Sequence, residues 1–512
     1  MQLPEIYNMT TTFLDDVVAR GLGKKTALYF NKDKINYETV LEMVNRTGNA
    51  LKELGVEMED RVMLLLPDMP EFVYSFLGTV RIGAIAVPVS TAMRPHDYIF
   101  LLNDSRAKLL ITEGEFIPII ERIGEELRHL KGVVVRDGPD KYPSFEELIS
   151  QASPHLEPAE TSKDDMAFWM YTSGSTGMPK AVVHLHHDWI YCCDTVGREV
   201  FDFREGDTSF SASKLFFAYG LGNSLFFPFR VGASSVLYPH RMTAEVAFEL
   251  IDRYRPTHFF AVPTLYARML QVEGAERRYD LSSVRLFISS AEVLPPAIFQ
   301  RWKERFGKEL LDVVGSTENL AQFIANRPGM VRPGSSGLVV PGYEAKIVDD
   351  EGKEVAPGHV GHLLIKGESS APFYWNRHQA TKKAMLGEWL KTGDMFYRDE
   401  EGYFYFCGRS DDVMKVSGCW VSPIEVENAL TEHPAVLEAA VSAAADSDGL
   451  IKPRAYVVLK DGFQPSAGLE EEIKGFVKER LAPFKYPRWI EFVPELPKTA
   501  TGKIQRFRLR GS

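Results

Sequence analysis

The chain has little cysteine, no long apolar run and no excess of positive charge, and each absence excludes something. Its 512 residues include four cysteines, Cys192, Cys193, Cys407 and Cys419. Cys192 and Cys193 are neighbours and suit neither a disulfide framework nor a CxxC metal site, so a reducing cytoplasm is the expected compartment. No apolar run is long enough to span a bilayer. Even LGNSLFFPFRVGASSVLYP is broken by Arg230, so no membrane span is expected. The start, MQLPEIYNMT, lacks the basic region and apolar stretch of a signal peptide. The net charge of −11 leaves no general basic face for nucleic acid, though it permits a small anion in one local basic site. Internal repeats and low-complexity tracts are missing as well.

What is present is the balance of a globular protein, 45% hydrophobic and 25% charged, at a length that predicts two or more domains. Helical spacing in INYETVLEMVNRTGNALKELG precedes the short apolar run RVMLLLP. The same exchange follows in MPEFVYSFLGTVRIG and AIAVPVS, and later in AEVAFELIDRYRP and THFFAVP. This rhythm predicts βαβ units and parallel sheets with helices on both faces. From about Gly334 the texture changes to short strands and Gly-rich turns, a small antiparallel region. After GYFYFCGRSDD a smaller α+β unit begins. The expected fold is therefore α/β, with an N-terminal domain over 1–409 and a small, mobile C-terminal domain over 410–512.

One stretch breaks the pattern. YTSGSTGMPK places Thr, Ser and Gly from Thr172 to Gly177 between two apolar, strand-like runs. Such a loop is either a linker or an anion cradle, because Gly admits a phosphate close to backbone N–H groups and hydroxyls add donors. The P-loop of NTPases is excluded: Gly174 and Gly177 are too close, and Met178 and Pro179 separate Gly177 from Lys180. HLHHD offers a second candidate, since His184 and His186 share a strand face that can bind zinc. Zinc is not expected there.

Other stretches decide the first question. DVVGSTE, KTGDMFYRDEEGYFYFCGRSDD, KVSGCWVSPIEVE and PKTATGKIQR, taken with YTSGSTGMPK, resemble the acyl-adenylate-forming enzymes, the superfamily of acyl-CoA synthetases, peptide-synthetase adenylation domains and luciferases. The motifs occur in the family's order from about Asn8 to Arg510. SASKLFFAYGLGNSLFFPF and LAPFKYPRWIEFVPELPKTATGKIQRF are similar to the benzoate–CoA ligase subgroup. The resemblance implies an ATP-dependent, AMP-forming ligase. A carboxylate attacks the α-phosphate of ATP, and the thiol of coenzyme A then displaces AMP from the acyl-adenylate. Benzoate or another compact aromatic or cyclic acid is the expected substrate; a small aliphatic or substituted aromatic acid is the alternative.

The resemblance also implies the site. Thr172, Ser173, Gly174, Ser175, Thr176, Gly177 and Lys180 would hold the β- and γ-phosphates. Glu318, with Thr176, would hold Mg2+, and Thr317 would donate to the α-phosphate. Ala291, Glu292, Asp312, Val313, Val314, Gly315 and Ser316 would surround the nucleotide, and Asp394 and Arg409 the ribose. Lys503 would stand between the attacking carboxylate and the α-phosphate, where an ammonium follows the charge into the transition state. Its acetylation would remove that charge, which makes a lysine acetyltransferase and deacetylase candidate partners; a homodimer is compatible with the reading. Asp411 would be the hinge that swings Lys415, Ser417, Gly418 and Trp420 to the coenzyme A side.

The acyl pocket would comprise Phe217, Ala218, Tyr219, Gly220, Ala291, Gly315, Ala321 and Ile324. The benzoate subgroup is expected to carry Gly where Ala291 stands and His where Ala321 stands. Ala291 would narrow the slot, and Ala321 would widen it and remove a polar group. Val314 replaces the family's usual aromatic. Two other function classes are weighed. An amino-acid adenylation domain needs a carboxylate near Phe217, and neither Lys214 nor Phe217 supplies one. A decayed nucleotide-binding protein would not keep Lys180, Glu318, Asp394 and Lys503 together.

Overall fold

The computed structural model describes residues 3–172, 178–416, 419–447, 449–498 and 504–509. The helical pattern after Ile35 folds as the helix Tyr37–Glu53. Asn36 caps it by accepting the Thr39 N–H, and Gly55 follows its end at φ 78°. Its buried residues Val40, Val44 and Leu51 recur at helical spacing. The helix Pro70–Arg81 starts with proline, whose missing N–H has no intrahelical partner to lose.

The first strands, β1 (Thr26–Phe30) and β2 (Asp33–Asn36), pair as an antiparallel hairpin that the sequence pattern does not mark. The next six are β3 (Arg61–Leu65), β4 (Ile85–Pro88), β5 (Leu109–Glu113), β6 (Gly132–Arg136), β7 (Met166–Thr172) and β8 (Lys180–Leu185). They form one sheet in the order β6-β5-β3-β4-β7-β8. Every neighbouring pair is parallel except β7 with β8. The Ser/Gly-rich stretch thus joins two antiparallel strands, rather than a strand to a helix.

Six further strands follow: β9 (Thr208–Ser211), β10 (Ser234–Leu237), β11 (His258–Ala261), β12 (Leu286–Ser289), β13 (Leu310–Gly315) and β14 (Gln322–Ala325). With the first hairpin they run β14-β13-β12-β11-β9-β10-β1-β2 within a second sheet. The pairs from β13 to β1 are parallel, as the βαβ rhythm predicts; β13–β14 and β1–β2 are antiparallel. Phe210, Phe259 and Phe287 of this sheet pack with Phe248, Tyr266 and Trp302 of the helices in one buried cluster.

The chain divides into two compact units. One comprises Met1–Val331, Val339–Tyr343 and Lys366–Leu390; the other comprises Arg332–Leu338, Glu344–Ile365 and Lys391–Ser512. The second unit contains the short strands of the Gly-rich region and an α+β fold. There Val436–Ala445 pairs antiparallel with Ile451–Leu459, which runs parallel to Trp489–Phe492. The helices Pro423–Thr431 and Ala467–Lys478 bury Val426, Leu430, Ile473 and Val477 with Val441 and Val457 of these strands. Among the described residues no helix is long and apolar enough to cross a membrane.

Candidate active site

In the first unit the site is built around the end of β13. A Cβ at Gly315 would lie 2.5 Å from the Ala321 carbonyl oxygen, so only glycine lets the strand turn this close to the start of β14. Thr317–Asn319 then form one tight helical turn, capped by Ser316 Oγ, which accepts the Asn319 N–H at 3.3 Å. Leu320 follows at φ 63°, a backbone that leucine rarely adopts. The turn is held by its carbonyls. His184 Nε2 lies 2.8 Å from the Thr317 oxygen, the Ala371 N–H donates to the Glu318 oxygen at 2.8 Å, and Ser369 Oγ donates to the Asn319 oxygen at 3.0 Å.

These bonds account for HLHHD. His184 on β8 is fully buried, with Nδ1 2.8 Å from Asp188 Oδ2, so both ring nitrogens are engaged. His186 Nδ1 accepts the Met9 N–H at 3.1 Å, and burial pushes this imidazole down to about 3, its neutral form. The two ring nitrogens of His187 lie 3.1 and 3.0 Å from the Lys163 and Glu368 carbonyl oxygens. Among the described residues no group of three or more His, Cys, Asp or Glu side chains is placed to hold a metal.

Thr172 ends β7 and Lys180 begins β8, and the two are directly paired across the strands. Ser173, Gly174, Ser175, Thr176 and Gly177 lie outside the described residues. The Lys180 ammonium sits 4.3 Å from the centre of the Tyr374 ring, and the Tyr374 hydroxyl donates to Glu318 Oε1 at 2.7 Å. Tyr374 thus joins the expected phosphate lysine to the expected metal carboxylate. Sequence reading misses it: FYWN carries no spacing signal, and a β-bridge between Tyr374 and Val182 of β8 brings it there.

The nucleotide-side candidates gather at the carboxyl ends of β12 and β13. Ser290 Oγ donates to the Val313 carbonyl at 2.8 Å. Glu292 Oε2 accepts from the Thr264 hydroxyl at 2.7 Å and its N–H at 3.2 Å. Burial holds the Asp312 carboxyl well above the usual carboxylate range, and no hydrogen-bond partner reaches its Oδ1 among the described residues. Val314 is half-buried opposite Ile324 in the β13–β14 pair. Ala291 stands at φ 72°, where the glycine expected of the benzoate subgroup would be unstrained.

The acyl-side candidates have unequal exposure. Ala321 and Ile324 are buried, Phe217 and Tyr219 half-buried. Phe217 precedes the short helix Ala218–Leu221, and the Tyr219 hydroxyl donates to the Ile288 carbonyl at 3.3 Å. Gly220 packs so tightly that a Cβ would lie 2.1 Å from the Lys214 carbonyl oxygen. A carboxylate does stand beside this stretch: Asp68 accepts the Leu215 N–H at 2.9 Å. It comes from a loop remote in sequence, so the stretch itself gives no sign of it.

In the second unit, Asp394 and Arg409 face each other across an antiparallel pair, with Arg409 Nη1 2.7 Å from Asp394 Oδ1. Gly393 stands at φ 77°, and a Cβ there would lie 2.8 Å from Arg409 Nη2. Asp411 lies in the turn that follows, where the Asp412 and Val413 N–H groups both donate to the Arg409 carbonyl. Lys415 pairs with Asp350 at 3.0 Å and lies 4.4 Å from the centre of the Trp420 ring, its cross-strand partner. Ser417, Gly418 and Lys503 lie outside the described residues.

Comparison with known proteins shows the family. Residues 15–375 match the family of AMP-binding enzymes, and residues 425–503 match the AMP-binding enzyme C-terminal domain. A benzoate–CoA ligase of Thauera aromatica is 43% identical over 100% of this chain and 97% of its own length. A 4-hydroxybenzoate–CoA/benzoate–CoA ligase of Rhodopseudomonas palustris is 43% identical over 98% of this chain and 94% of its own. Among solved structures, an anthranilate CoA ligase in complex with anthranoyl-AMP superposes with a TM-score of 0.94 at 44% identity, covering 100% of this chain and 98% of that one. A benzoate CoA ligase from Burkholderia xenovorans superposes with a TM-score of 0.90 at 42% identity, covering 99% and 100%. With its strand-end turn, its paired Thr172 and Lys180, and a match across most of its length, the chain belongs to the AMP-binding enzyme family.

Proposed function

We propose that the chain is an ATP-dependent, AMP-forming ligase that joins an aromatic carboxylate to coenzyme A through an acyl-adenylate, with benzoate or a compact relative as the acid. The convergence of Lys180, Tyr374 and Glu318 beside the Thr317 turn carries this reading, because an ammonium, a hydroxyl and a carboxylate brought together suit a polyphosphate and its metal ion. The relatives named for benzoate and anthranilate support the aromatic class.

The donor set fits Mg2+ rather than zinc. Glu318 offers hard carboxylate oxygens without a surrounding cage of protein ligands among the described residues, and Mg2+ is held by one or two carboxylates plus substrate phosphates. Glu318, with Thr176, would hold it, and there it would neutralise charge on the phosphate oxygens.

In the first half-reaction the acid and ATP are both anions, so the residues must offset their repulsion. Lys180 and the Thr172–Gly177 stretch bind the β- and γ-phosphates. Thr317 donates to the α-phosphate, held in place by its anchored carbonyl. Asp394 and Arg409 bind the ribose, and Lys503 supplies positive charge as the carboxylate attacks phosphorus. Pyrophosphate leaves. In the second half-reaction the coenzyme A thiolate attacks the acyl carbonyl and AMP departs. That step needs Lys503 withdrawn, which assigns rotation about Asp411 to the C-terminal domain from residue 410, with Lys415, Ser417, Gly418 and Trp420 then facing coenzyme A.

The test is pyrophosphate release from ATP and benzoate, with and without coenzyme A. About one equivalent without coenzyme A and steady AMP formation with it are expected, as for a tightly held adenylate. Release with an amino acid but not benzoate would mean a carrier-loading domain; release with no acid at all would mean no ligase.

A further inference from the structure

The stretch that forms the expected acyl-pocket wall is anchored by a buried acid–base pair whose halves come from different parts of the chain. Asp68 follows β3 and is 3% exposed. Its Oδ1 accepts the Leu215 N–H at 2.9 Å, and its Oδ2 lies 3.8 Å from Lys214 Nζ. The same ammonium donates to the Tyr238 and His240 carbonyls at 2.5 and 2.7 Å. The connections leaving β3, β9 and β10 are thereby tied together at the carboxyl ends of their strands, where α/β sheets bind ligands.

The anchor reaches the pocket through the backbone. The Lys214 carbonyl accepts the Phe217 N–H at 3.0 Å, and Gly220 packs on that same oxygen. A displacement of Lys214 is therefore passed directly to Phe217–Gly220. The pair is unfavourable for folding by itself. Burial pushes the Asp68 carboxyl up to about 6 and the Lys214 ammonium below its usual value. Desolvation thus outweighs the attraction between them, as it often does for buried ion pairs.

We propose that Asp68 and Lys214 are positioning residues that fix the Phe217–Gly220 wall and so set how well the carboxylic acid fits. This rests on the reading of Phe217–Gly220 as that wall. Lys214 is the charged group facing Asp68, whose other partner is the Leu215 N–H. Because the folded carboxyl lies above its ordinary value, ionising Asp68 lowers stability as pH rises through about 6. As pH falls through the same range, protonation removes the partner of Lys214. Acid binding weakens while the contribution of Asp68 to stability grows. A residue with a merely structural role would move both in the same direction.

Asp68→Asn keeps an oxygen for the Leu215 N–H and removes the charge. At pH 8 its KM for benzoate should rise about tenfold, a typical coupling for a contacting pair, with kcat and the KM for ATP within about twofold. The loss of kcat/KM for benzoate below pH 6 should disappear, and the melting temperature should not fall in step with the KM change. Lys214→Met should raise the same KM and decides the matter if Asp68→Asn does not fold. Parental KM and pH profile in the folded variants would overturn the proposal. Ala218→Leu separates the two levels. If it changes the range of acids used while Asp68→Asn changes nothing, the positioning pair is wrong. If it leaves that range unchanged, the pocket reading itself fails, and the inference with it.

Discussion

Tyr374 has one hydroxyl, and Glu318 Oε1 takes its hydrogen bond. Tyr374→Phe should leave the ring under Lys180 and remove that bond. Hydrogen bonds to charged groups contribute about 1.5–3 kcal/mol, so adenylation should slow by about tenfold or more. Thioester formation from supplied acyl-AMP depends less on the metal role proposed for Glu318 and should stay near parental. Comparable losses in the two half-reactions, measured separately, would show that Tyr374 supports the fold rather than Glu318. Gly393 gives a second case. Alanine there must hold φ 77° and push its Cβ against the Arg409 guanidinium. Left-handed backbone costs an L-residue about 1–2 kcal/mol, and the displaced guanidinium would leave Asp394. Gly393→Ala should raise the KM for ATP about tenfold while leaving the KM for the acid alone; unaltered ATP kinetics would remove Arg409 and Asp394 from the ribose site.

At the scale of elements, the turn after Arg409 is where the two half-reactions should separate. Asp411→Pro fixes φ and removes a backbone donor. If the C-terminal domain must rotate about this residue, the variant should complete adenylation and fail at thioester formation. The measurement is pyrophosphate release beside thioester yield. A uniform loss of both with a lowered melting temperature would mean that proline only disrupts folding. Most elements were legible beforehand, because strands and helices obey local periodicity and local caps. Asn36, Thr243 and Ser422 each cap the helix that follows by accepting an N–H, and Gly307 ends Pro296–Phe306 at φ 65°. The β1–β2 hairpin and the antiparallel setting of β8 were not legible, since pairing direction depends on the partner strand rather than on the strand's own residues.

At the scale of the whole molecule, the acid is the quantity to measure. A wall of mainly apolar side chains discriminates weakly, by about 1–3 kcal/mol per methylene. Benzoate should be used together with fluorobenzoates and cyclohexene or cyclohexane carboxylates. Long-chain fatty acids should fail. Hydroxybenzoates should be poor, because Ala321 offers no polar side chain and an unpaired buried hydroxyl costs about 1–3 kcal/mol. The ratios of kcat/KM across this panel decide the matter. A strong preference for 4-hydroxybenzoate or for a long aliphatic acid would refute the pocket and leave the ligase chemistry standing.

The sequence by itself determined the family and the class of reaction, because the stretches that carry the resemblance are short and continuous in the chain. Thr172 and Lys180, Thr317 and Glu318, and Asp394 with Arg409 were named as site candidates by the resemblance those stretches carry. Tertiary structure alone decided what holds those groups in place. His184 reaches the Thr317 carbonyl across 133 residues of chain, Tyr374 reaches Glu318 across 56, and Asp68 reaches Leu215 across 147. No local pattern encodes such pairings, because each partner is buried by a different strand or helix and the two meet only when the sheets and their connections assemble.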